Sequence, residues 1–147
     1  FMFVYSSPIQ ILAAVFTTLG FGVLFNVKGN NLLHTCIAGG ISWAVYLFCS
    51  THSYSLSFSY FLATFILSLY SEIIARIKKT PVTSILIAAM IPLAPGGGIY
   101  YTMLHILQKN YPLALSKGVD TLIIAGSMAI GVFSASALFR VYQEIRH

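Results

Sequence analysis

A long apolar stretch, residues 81–108, is interrupted near its middle by two prolines and three consecutive glycines. Proline removes a backbone N–H and clashes with the preceding helical turn, whereas glycine tolerates backbone angles that other residues avoid. The stretch has 28 residues, more than the roughly 20 that cross a bilayer as a helix. We therefore predict a helix broken at Pro92–Gly98. Irregular backbone at membrane depth must be satisfied by protein or by a wet cavity, and such breaks often mark transport sites.

The rest of the chain supports an all-α membrane protein. Of its 147 residues, 58% are hydrophobic and 7% are charged, against about 25% charged residues in soluble domains. We predict a single transmembrane domain over residues 1–147, built as a bundle of about five transmembrane helices with the fourth one broken. The predicted spans are approximately 8–25, 32–49, 56–75, 81–108 and 119–139. A polar connection is expected over 109–118, and a basic tail follows the last span.

The basic residues cluster at the ends of the apolar runs, which is typical of cytoplasmic anchors and not of nucleic-acid binding. The positive-inside rule places the Arg76–Lys79 loop in the cytoplasm, with the protein as a multi-pass protein of the cell (inner or plasma) membrane. Five spans put six basic residues inside and two outside, and four spans with a re-entrant fourth segment give the same ratio. Both topologies stay open on charge alone, and the length of segment 81–108 favours five.

Cysteine spacing and catalytic motifs exclude several classes of protein. Cys36 and Cys49 lie in one apolar segment and form no metal or redox motif, so we expect no disulfide, metal or cofactor. A nucleophile motif, a P-loop and a dinucleotide fingerprint are all missing, which argues against an enzyme. Residue 1 is Phe, so we expect a trimmed start or a fragment. No basic residue precedes the first segment, so we do not interpret it as a cleaved signal peptide.

The region from Glu72 to Met103 resembles a known family. The similarity rests on the pattern Glu72-x-x-x-Arg76-x-x-Lys79-x-Pro81-x-Thr83, followed by Ile91-Pro92-Leu93-x-Pro95-Gly96 and Tyr100. Asn26, Gly40, Trp43 and Tyr46 also match. These residues resemble the threonine/serine exporter (ThrE-type) family, and in particular the small membrane proteins that match the C-terminal half of the full-length exporters. Nearly the whole chain is covered, and the resemblance is weakest in the fifth segment.

This resemblance implies export of small amino acids, threonine and serine, or of a small dicarboxylate such as succinate. For the short members it implies a second membrane subunit that supplies the other half of the transporter. In the family we expect a Pro-Gly pair with fewer glycines after it, so the three glycines here loosen the loop. With three acids in the chain, intramembrane hydrolysis is poorly supported, and the missing P-loop favours a proton gradient over ATP as the energy source.

The glycine run is the predicted substrate site. A half-helix that begins at Gly96, Gly97 and Gly98 would present free N–H groups and a positive dipole end to an anion. A small carboxylate-bearing substrate fits such a site, and Pro95 and Tyr100 flank it. The alternative is a proline kink that only helps the helices to pack.

Three charged residues are candidates for gating or proton coupling. Glu72 and Arg76 are four residues apart, share one helix face and pair there. They form either a gate with a proton-carrying carboxylate or an ion pair at the membrane interface. Asp120 opens the predicted fifth segment, where an acid in the first turn of a helix is favoured electrostatically. It is a second candidate partner for a proton or for the substrate amine.

The sequence leaves the type of activity open. The main hypothesis is one half of a proton-coupled secondary exporter, with substrate near the midplane beside the broken segment. The first alternative is a non-transporting scaffold that stabilises or assembles a partner membrane protein. The second is a small channel, whose flux would not depend on a pH gradient. A homo-oligomer is compatible with each of these.

Overall fold

The computed structural model describes residues 7–146, and Phe1 and the rest of the N-terminal hexapeptide lie outside the described residues. Residues 7–146 consist of helices and short connections. The helices are α1 (Ser7–Leu24), α2 (Asn30–Thr51), α3 (Leu56–Lys78), α4 (Val82–Met90), α5 (Gly96–Leu107) and α6 (Tyr111–Arg146), with a 3₁₀ turn at Ile91–Leu93. Helices α1, α2, α3 and α6 are each long and apolar enough to cross a membrane, and α4 and α5 meet the same test as a pair bent by 51°. The predicted all-α membrane bundle with a broken fourth helix is confirmed.

Local chemistry explains where α3 begins and ends. The Ser55 hydroxyl accepts a hydrogen bond from the Phe58 amide at 3.3 Å and so caps the first turn. At the other end Lys79 adopts a left-handed conformation. The Thr80 amide then donates to the Ala75 carbonyl at 2.9 Å, which satisfies a carbonyl of the last turn. Arg76 and Lys78 lie in that last turn, where positive charge complements the helix dipole.

Helices α3 and α6 run in the same direction. The Thr64 side chain lies against Gly131, and the Ser68 hydroxyl donates to the Val132 carbonyl at 3.4 Å. Further along, the Arg76 guanidinium lies 4.6 Å from the centre of the Phe139 ring. Both helices therefore end at the same side of the bundle. We call this side the basic end; the cations that α3, α6 and the turn after α3 place there are Arg76, Lys78, Lys79, Arg140 and Arg146.

Helices α4 and α5 together connect the basic end to the opposite end. Ile85 shares a buried cluster with Leu67, whereas Leu93 shares one with Tyr60, so α4 runs antiparallel to α3. Gly98 then contacts Thr121, and Thr102 contacts Gly118, so α5 runs antiparallel to α6. The pair is thus one broken crossing of the bundle. This geometry favours five crossings over a re-entrant fourth segment, which would return to the basic end.

The core surrounds α4, while α5 lies outside it. One buried cluster contains Ala38, Leu67, Ile85 and Ala89, and a second contains Tyr46, Tyr60, Ala63, Leu93 and Met128. Helix α4 packs against α1, α2 and α3, and the 3₁₀ turn packs against α1 and α2. Helix α5 packs along α6 and has no buried residue. Helix α5, directly after the break, is therefore on the surface of this subunit.

Glycine–threonine contacts join neighbouring helices. The pairs are Thr18 with Gly39, Thr64 with Gly131, Thr121 with Gly98 and Thr102 with Gly118. Each threonine hydroxyl donates to the carbonyl four residues earlier in its own helix, at 2.7 or 2.8 Å. The hydroxyls are satisfied locally, so these side chains enter an apolar contact without an orphaned donor, and glycine lets the backbones approach closely.

The last helix is longer than the sequence predicts. The polar connection expected over 109–118 is helical from Tyr111 onwards, and the tail after Phe139 is helical to Arg146. Pro112 does not prevent this, because proline is compatible with the first helical turn, where its missing N–H has no partner to lose. A helix of 36 residues is about 54 Å long, whereas the apolar core of a bilayer is about 30 Å thick. Helix α6 is therefore longer than an apolar layer of ordinary thickness.

Candidate functional site

The break between α4 and α5 interrupts the helical path that crosses the bundle. The Ala94 amide donates to the Ile91 carbonyl at 3.0 Å, and the Gly96 amide donates to the Ala94 carbonyl at 2.7 Å. Helical bonding resumes when the Ile99 amide donates to the Pro95 carbonyl at 3.2 Å. Pro92 and Pro95 have no N–H to continue the helical ladder. The chain therefore closes one half-helix and opens another within a few residues.

The second half-helix begins at the glycine run, as the sequence predicts. Gly96 is the first residue of α5, and Pro95 occupies the preceding cap position. Among the described residues, the amides of Gly97 and Gly98 donate to no backbone carbonyl, as is usual in a first turn. These free donors and the positive end of the α5 dipole point to the same place, which is an arrangement that attracts anions.

The three glycines have different surroundings. A methyl group placed on Gly96 or Gly97 would meet no heavy atom within 4 Å, whereas one on Gly98 would clash with the Thr121 side chain. Gly98 therefore serves the packing of α5 on α6, and Gly96 and Gly97 leave the backbone accessible. Tyr100 lies four residues after Gly96 and three after Gly97, on the same helix face. Its ring is exposed and lies edge-on to Tyr101, with ring centres 5.3 Å apart.

An apolar pocket of about 540 Å³ lies between the break and α6. We call it the α6-side pocket. Its walls are Met90, Ala94, Pro95, Ala125, Met128, Ala129, Val132, Phe133 and Ser136. Ser136 contributes the one side-chain hydroxyl of this wall. The pocket opens at the surface of the subunit, where Phe133 is 75% exposed, so its outer wall would have to come from lipid or from another protein.

A second pocket, of about 380 Å³, lies on the other side of the break. This α1-side pocket is lined by Gln10, Ala13, Ala14, Thr17, Trp43, Ile91 and Pro92. The Trp43 indole N–H is shielded from solvent and has no hydrogen-bond partner among the described residues. A buried donor without a partner is uncommon in native structures. This pocket therefore offers a polar group that a ligand beside Pro92 could engage.

Sequence reasoning did not single out this pocket as a site. Gln10 and Thr17 are isolated polar residues in the first apolar segment, and Trp43 enters the sequence analysis only as a match to the family pattern. The one sequence signal for this pocket is the amide side chain of Gln10 within a transmembrane segment. That it meets the break depends on α1 and α2 packing against the 3₁₀ turn, which no local pattern encodes.

Glu72 and Arg76 lie at the basic end, away from the glycine run. Arg76 Nη2 is 3.6 Å from Glu72 Oε2, and the two side chains are 45% and 11% exposed respectively. The predicted pairing on one helix face is confirmed. The Arg76 guanidinium also lies over the Phe139 ring at 4.6 Å, so it connects α3 to α6. The structure therefore separates these two residues from the candidate substrate site by most of the length of the bundle.

The unequal exposure of Glu72 and Arg76 predicts which substitution destabilises the fold more. Replacing Arg76 with alanine is expected to destabilise the fold by roughly 1–3 kcal/mol, because the shielded Glu72 carboxylate would lose its partner and α6 its cation–π contact. Glu72→Gln should cost less, since the half-exposed Arg76 side chain keeps its contact with Phe139 and reaches water. Thermal unfolding of both variants in the same detergent measures the order. A larger loss in Glu72→Gln would contradict it.

The expected position of Asp120 is wrong. It was predicted in the first turn of the last helix, but α6 begins at Tyr111, so Asp120 is the tenth residue of that helix. Its side chain is exposed. Asp120 directly precedes Thr121, which packs against Gly98, so it belongs to the α5–α6 end of the molecule and not to the Glu72 cluster. A favourable helix dipole no longer accounts for this acid.

Cys36 and Cys49 are free and buried in α2. Within residues 7–146, no group of three His, Cys, Asp or Glu side chains is placed to bind a metal ion.

The family assignment rests on a match over most of the chain. The family model described as "Threonine/Serine exporter, ThrE" matches residues 10–138, which include every predicted site residue and both pockets beside the break. The chain belongs to the threonine/serine exporter (ThrE) family. The ThrE family is a family of transporters and not of enzymes, in agreement with the missing catalytic motifs. No curated protein and no solved structure matches the chain.

Proposed function

We propose that this chain is one half of a secondary exporter in the cell membrane, which moves threonine and serine, or a small dicarboxylate such as succinate, out of the cell. Membership of the ThrE family supports the amino acids. The observation that contributes most is the open start of α5, where Gly96 and Gly97 expose backbone with no neighbour within 4 Å of either missing side chain. A discontinuous helix whose half-helix begins with free amides is a recurrent way to bind substrate carboxylates in transporters.

In this proposal the substrate carboxylate binds the amides of Gly97 and Gly98, on the α5 face that Tyr100 shares. The positive end of the α5 dipole adds electrostatic attraction. The opposite side of the break supplies the indole N–H of Trp43, which suits a hydroxyl or carbonyl oxygen of the substrate. An amino acid and a dicarboxylate would both place a carboxylate at the Gly97 and Gly98 amides. They would differ in the group that they place at the Trp43 N–H.

A second membrane subunit would complete the site. Helix α5 packs on α6, has no buried residue and leaves the α6-side pocket uncovered. A site on the surface of a subunit needs an outer wall to exclude lipid and water. Five crossings per half would insert two like halves in opposite orientations, as in inverted-repeat transporters. A second copy of this chain is the simplest alternative source of that wall.

Proton coupling is proposed to use Glu72 and Asp120. Glu72 is the more shielded acid, with an 11% exposed side chain beside Arg76 at the basic end. Asp120 lies towards the other end, next to the α5–α6 contact. Carboxylates at two depths would allow protonation from each side of the membrane in turn. The positive-inside rule assigns the basic end, including the Arg76–Lys79 loop, to the cytoplasm.

The function is tested by uptake of labelled threonine, serine and succinate into inverted vesicles. The vesicles contain this protein alone, or with a candidate second membrane subunit, with and without a proton gradient. We expect gradient-dependent uptake of one substrate when both proteins are present. No uptake despite confirmed insertion and complex formation would contradict the proposal and support the scaffold alternative. Uptake that ignores the gradient would support a channel.

Trp43→Phe gives a specific prediction for the α1-side pocket. The phenyl ring retains contact with Tyr46, whose ring centre lies 5.0 Å from that of Trp43, but the N–H is lost. Because that N–H has no partner in the described protein, the fold loses no hydrogen bond, and thermal stability should fall only by the packing lost with the smaller ring. The KM for transport should increase about two- to ten-fold, the usual worth of one hydrogen bond.

Thr17→Val is the matched control in the same pocket. The Thr17 hydroxyl already donates to the Ala13 carbonyl at 2.8 Å, so its loss should leave the KM unchanged. An equal KM increase in both variants would indicate a general effect on pocket shape. An unchanged KM in Trp43→Phe would remove this indole from the substrate site.

A further inference from the structure

A third pocket lies at the basic end, between the last turns of α3 and α6. Its volume is about 390 Å³, and it is lined by Arg76, Phe139, Tyr142, Gln143 and Arg146. The four α6 residues recur at the spacing of one helix face. The pocket therefore combines two guanidinium groups, a phenol and an amide on neighbouring helices. We call it the basic-end pocket.

The charges of this pocket are not balanced by the protein. Arg76 shares its charge with Glu72 at 3.6 Å, whereas Arg146 has no carboxylate within 4 Å among the described residues. Glu144 is two residues from Arg146 and thus projects from a different side of α6. Guanidinium groups match the geometry of phosphate oxygens and bind them by paired hydrogen bonds. An oxyanion is therefore the ligand chemistry that the pocket suits.

The surroundings of the pocket are apolar. Ile73 and Ile77 of α3 are 48% and 67% exposed, and Val141 and Ile145 of α6 are 52% and 81% exposed. These side chains flank the lining residues on both helices, at the level where the α3 span ends. A free anion in water would leave them uncovered. A ligand with an anionic head and apolar chains satisfies both requirements at once.

We infer that the basic-end pocket binds the phosphate of an anionic phospholipid, with the acyl chains lying along the exposed apolar side chains of α3 and α6. Basic pockets between transmembrane helices bind lipid head groups in this manner. The bound lipid would link the last turns of α3 and α6, because Arg76 comes from one helix and Arg146 from the other. This site is separate from the broken crossing and does not depend on which substrate is exported.

The test uses the full chain in detergent, with added phosphatidylglycerol, phosphatidylcholine or inorganic phosphate. Native mass spectrometry counts bound lipids, and thermal unfolding measures stabilisation. We expect phosphatidylglycerol to bind and to raise the unfolding midpoint, and phosphatidylcholine to do so at least five-fold more weakly by concentration. Inorganic phosphate or succinate alone should not reproduce the effect. If either does, the pocket is a site for free anions, and the lipid assignment is wrong.

Arg146→Gln and Arg140→Gln form a matched pair on α6. Both arginines are exposed and lie near the same helix end, but Arg140 does not line the pocket. Arg146→Gln should weaken phosphatidylglycerol binding about five-fold or more, the usual effect of one basic side chain near an anionic surface. Arg140→Gln should have little effect. Equal losses in the two variants would show diffuse attraction to charge instead of a defined site.

Discussion

Gly97→Ala is expected to reduce transport about ten-fold or more while the protein still folds and inserts. No atom lies within 4 Å of the added methyl group, so the fold has nothing to accommodate. A carboxylate bound to the Gly97 and Gly98 amides, however, would meet that methyl group at close range. A hydrogen bond to a charged group contributes about 1.5–3 kcal/mol, and about 1.4 kcal/mol corresponds to a factor of ten in affinity. Uptake into inverted vesicles measures the loss, with insertion and complex formation measured in parallel.

The neighbouring glycine supplies the contrast. Gly98→Ala places its methyl group against the Thr121 side chain, so it should disturb the α5–α6 contact and lower stability as well as flux. Full transport by Gly97→Ala would contradict the substrate site and favour a kink that serves packing alone. Loss of insertion by Gly97→Ala would assign a structural role to that glycine.

Gly131→Ala is expected to destabilise the bundle by about 1–3 kcal/mol. The added methyl carbon would lie 2.7 Å from the Phe61 carbonyl oxygen and 3.3 Å from the Phe65 amide nitrogen, besides meeting the Thr64 side chain. Backbone atoms cannot move aside as a flexible side chain does, so α3 and α6 must separate. Thermal unfolding in detergent should show a lower midpoint, and Thr64→Ala in the same chain should not restore it.

Gly126→Ala is the control on the same helix. Nothing lies within 4 Å of its added methyl group. Alanine favours a helix over glycine by up to about 1 kcal/mol, so this variant should be as stable as the wild type or more so. If both substitutions have the same effect, the close approach of α3 and α6 at Gly131 does not contribute to stability.

The sequence predicts most of the fold because local chemistry determines it. Two prolines and a glycine run cannot continue a helix, and the break lies where they do. Lys79 ends α3 near the basic cluster, as the charge pattern indicates. The start of α6 is missed because Pro112 is compatible both with a loop and with the first turn of a helix, and only the contact of Gly118 with Thr102 on α5 shows which applies here.

The candidate site is predicted less completely. Gly96 and Gly97 follow from the backbone properties of glycine, but Gly98 differs from them only through Thr121, a residue from another helix. Glu72 and the glycine run are near each other in sequence, yet the crossing between them spans most of the bundle and places them at different levels. The α1-side pocket arises from the packing of α1 and α2 on the break. In the sequence only Gln10, an amide in an apolar segment, indicates it.

The number of crossings also depends on packing that the sequence does not reveal. Charge counts are equal for four and for five spans. The parallel course of α3 and α6, with Arg76 and Arg146 in one pocket, favours five.

The most direct test of carboxylate recognition at the start of α5 is competition of labelled threonine uptake by unlabelled threonine and by threoninamide, in inverted vesicles with both subunits. Threoninamide keeps the amine and the hydroxyl but has no carboxylate. We expect threonine to compete at least ten-fold better in the wild type, and this preference to shrink in Gly97→Ala. Equal competition by the two compounds in the wild type would contradict binding of the carboxylate at the broken helix.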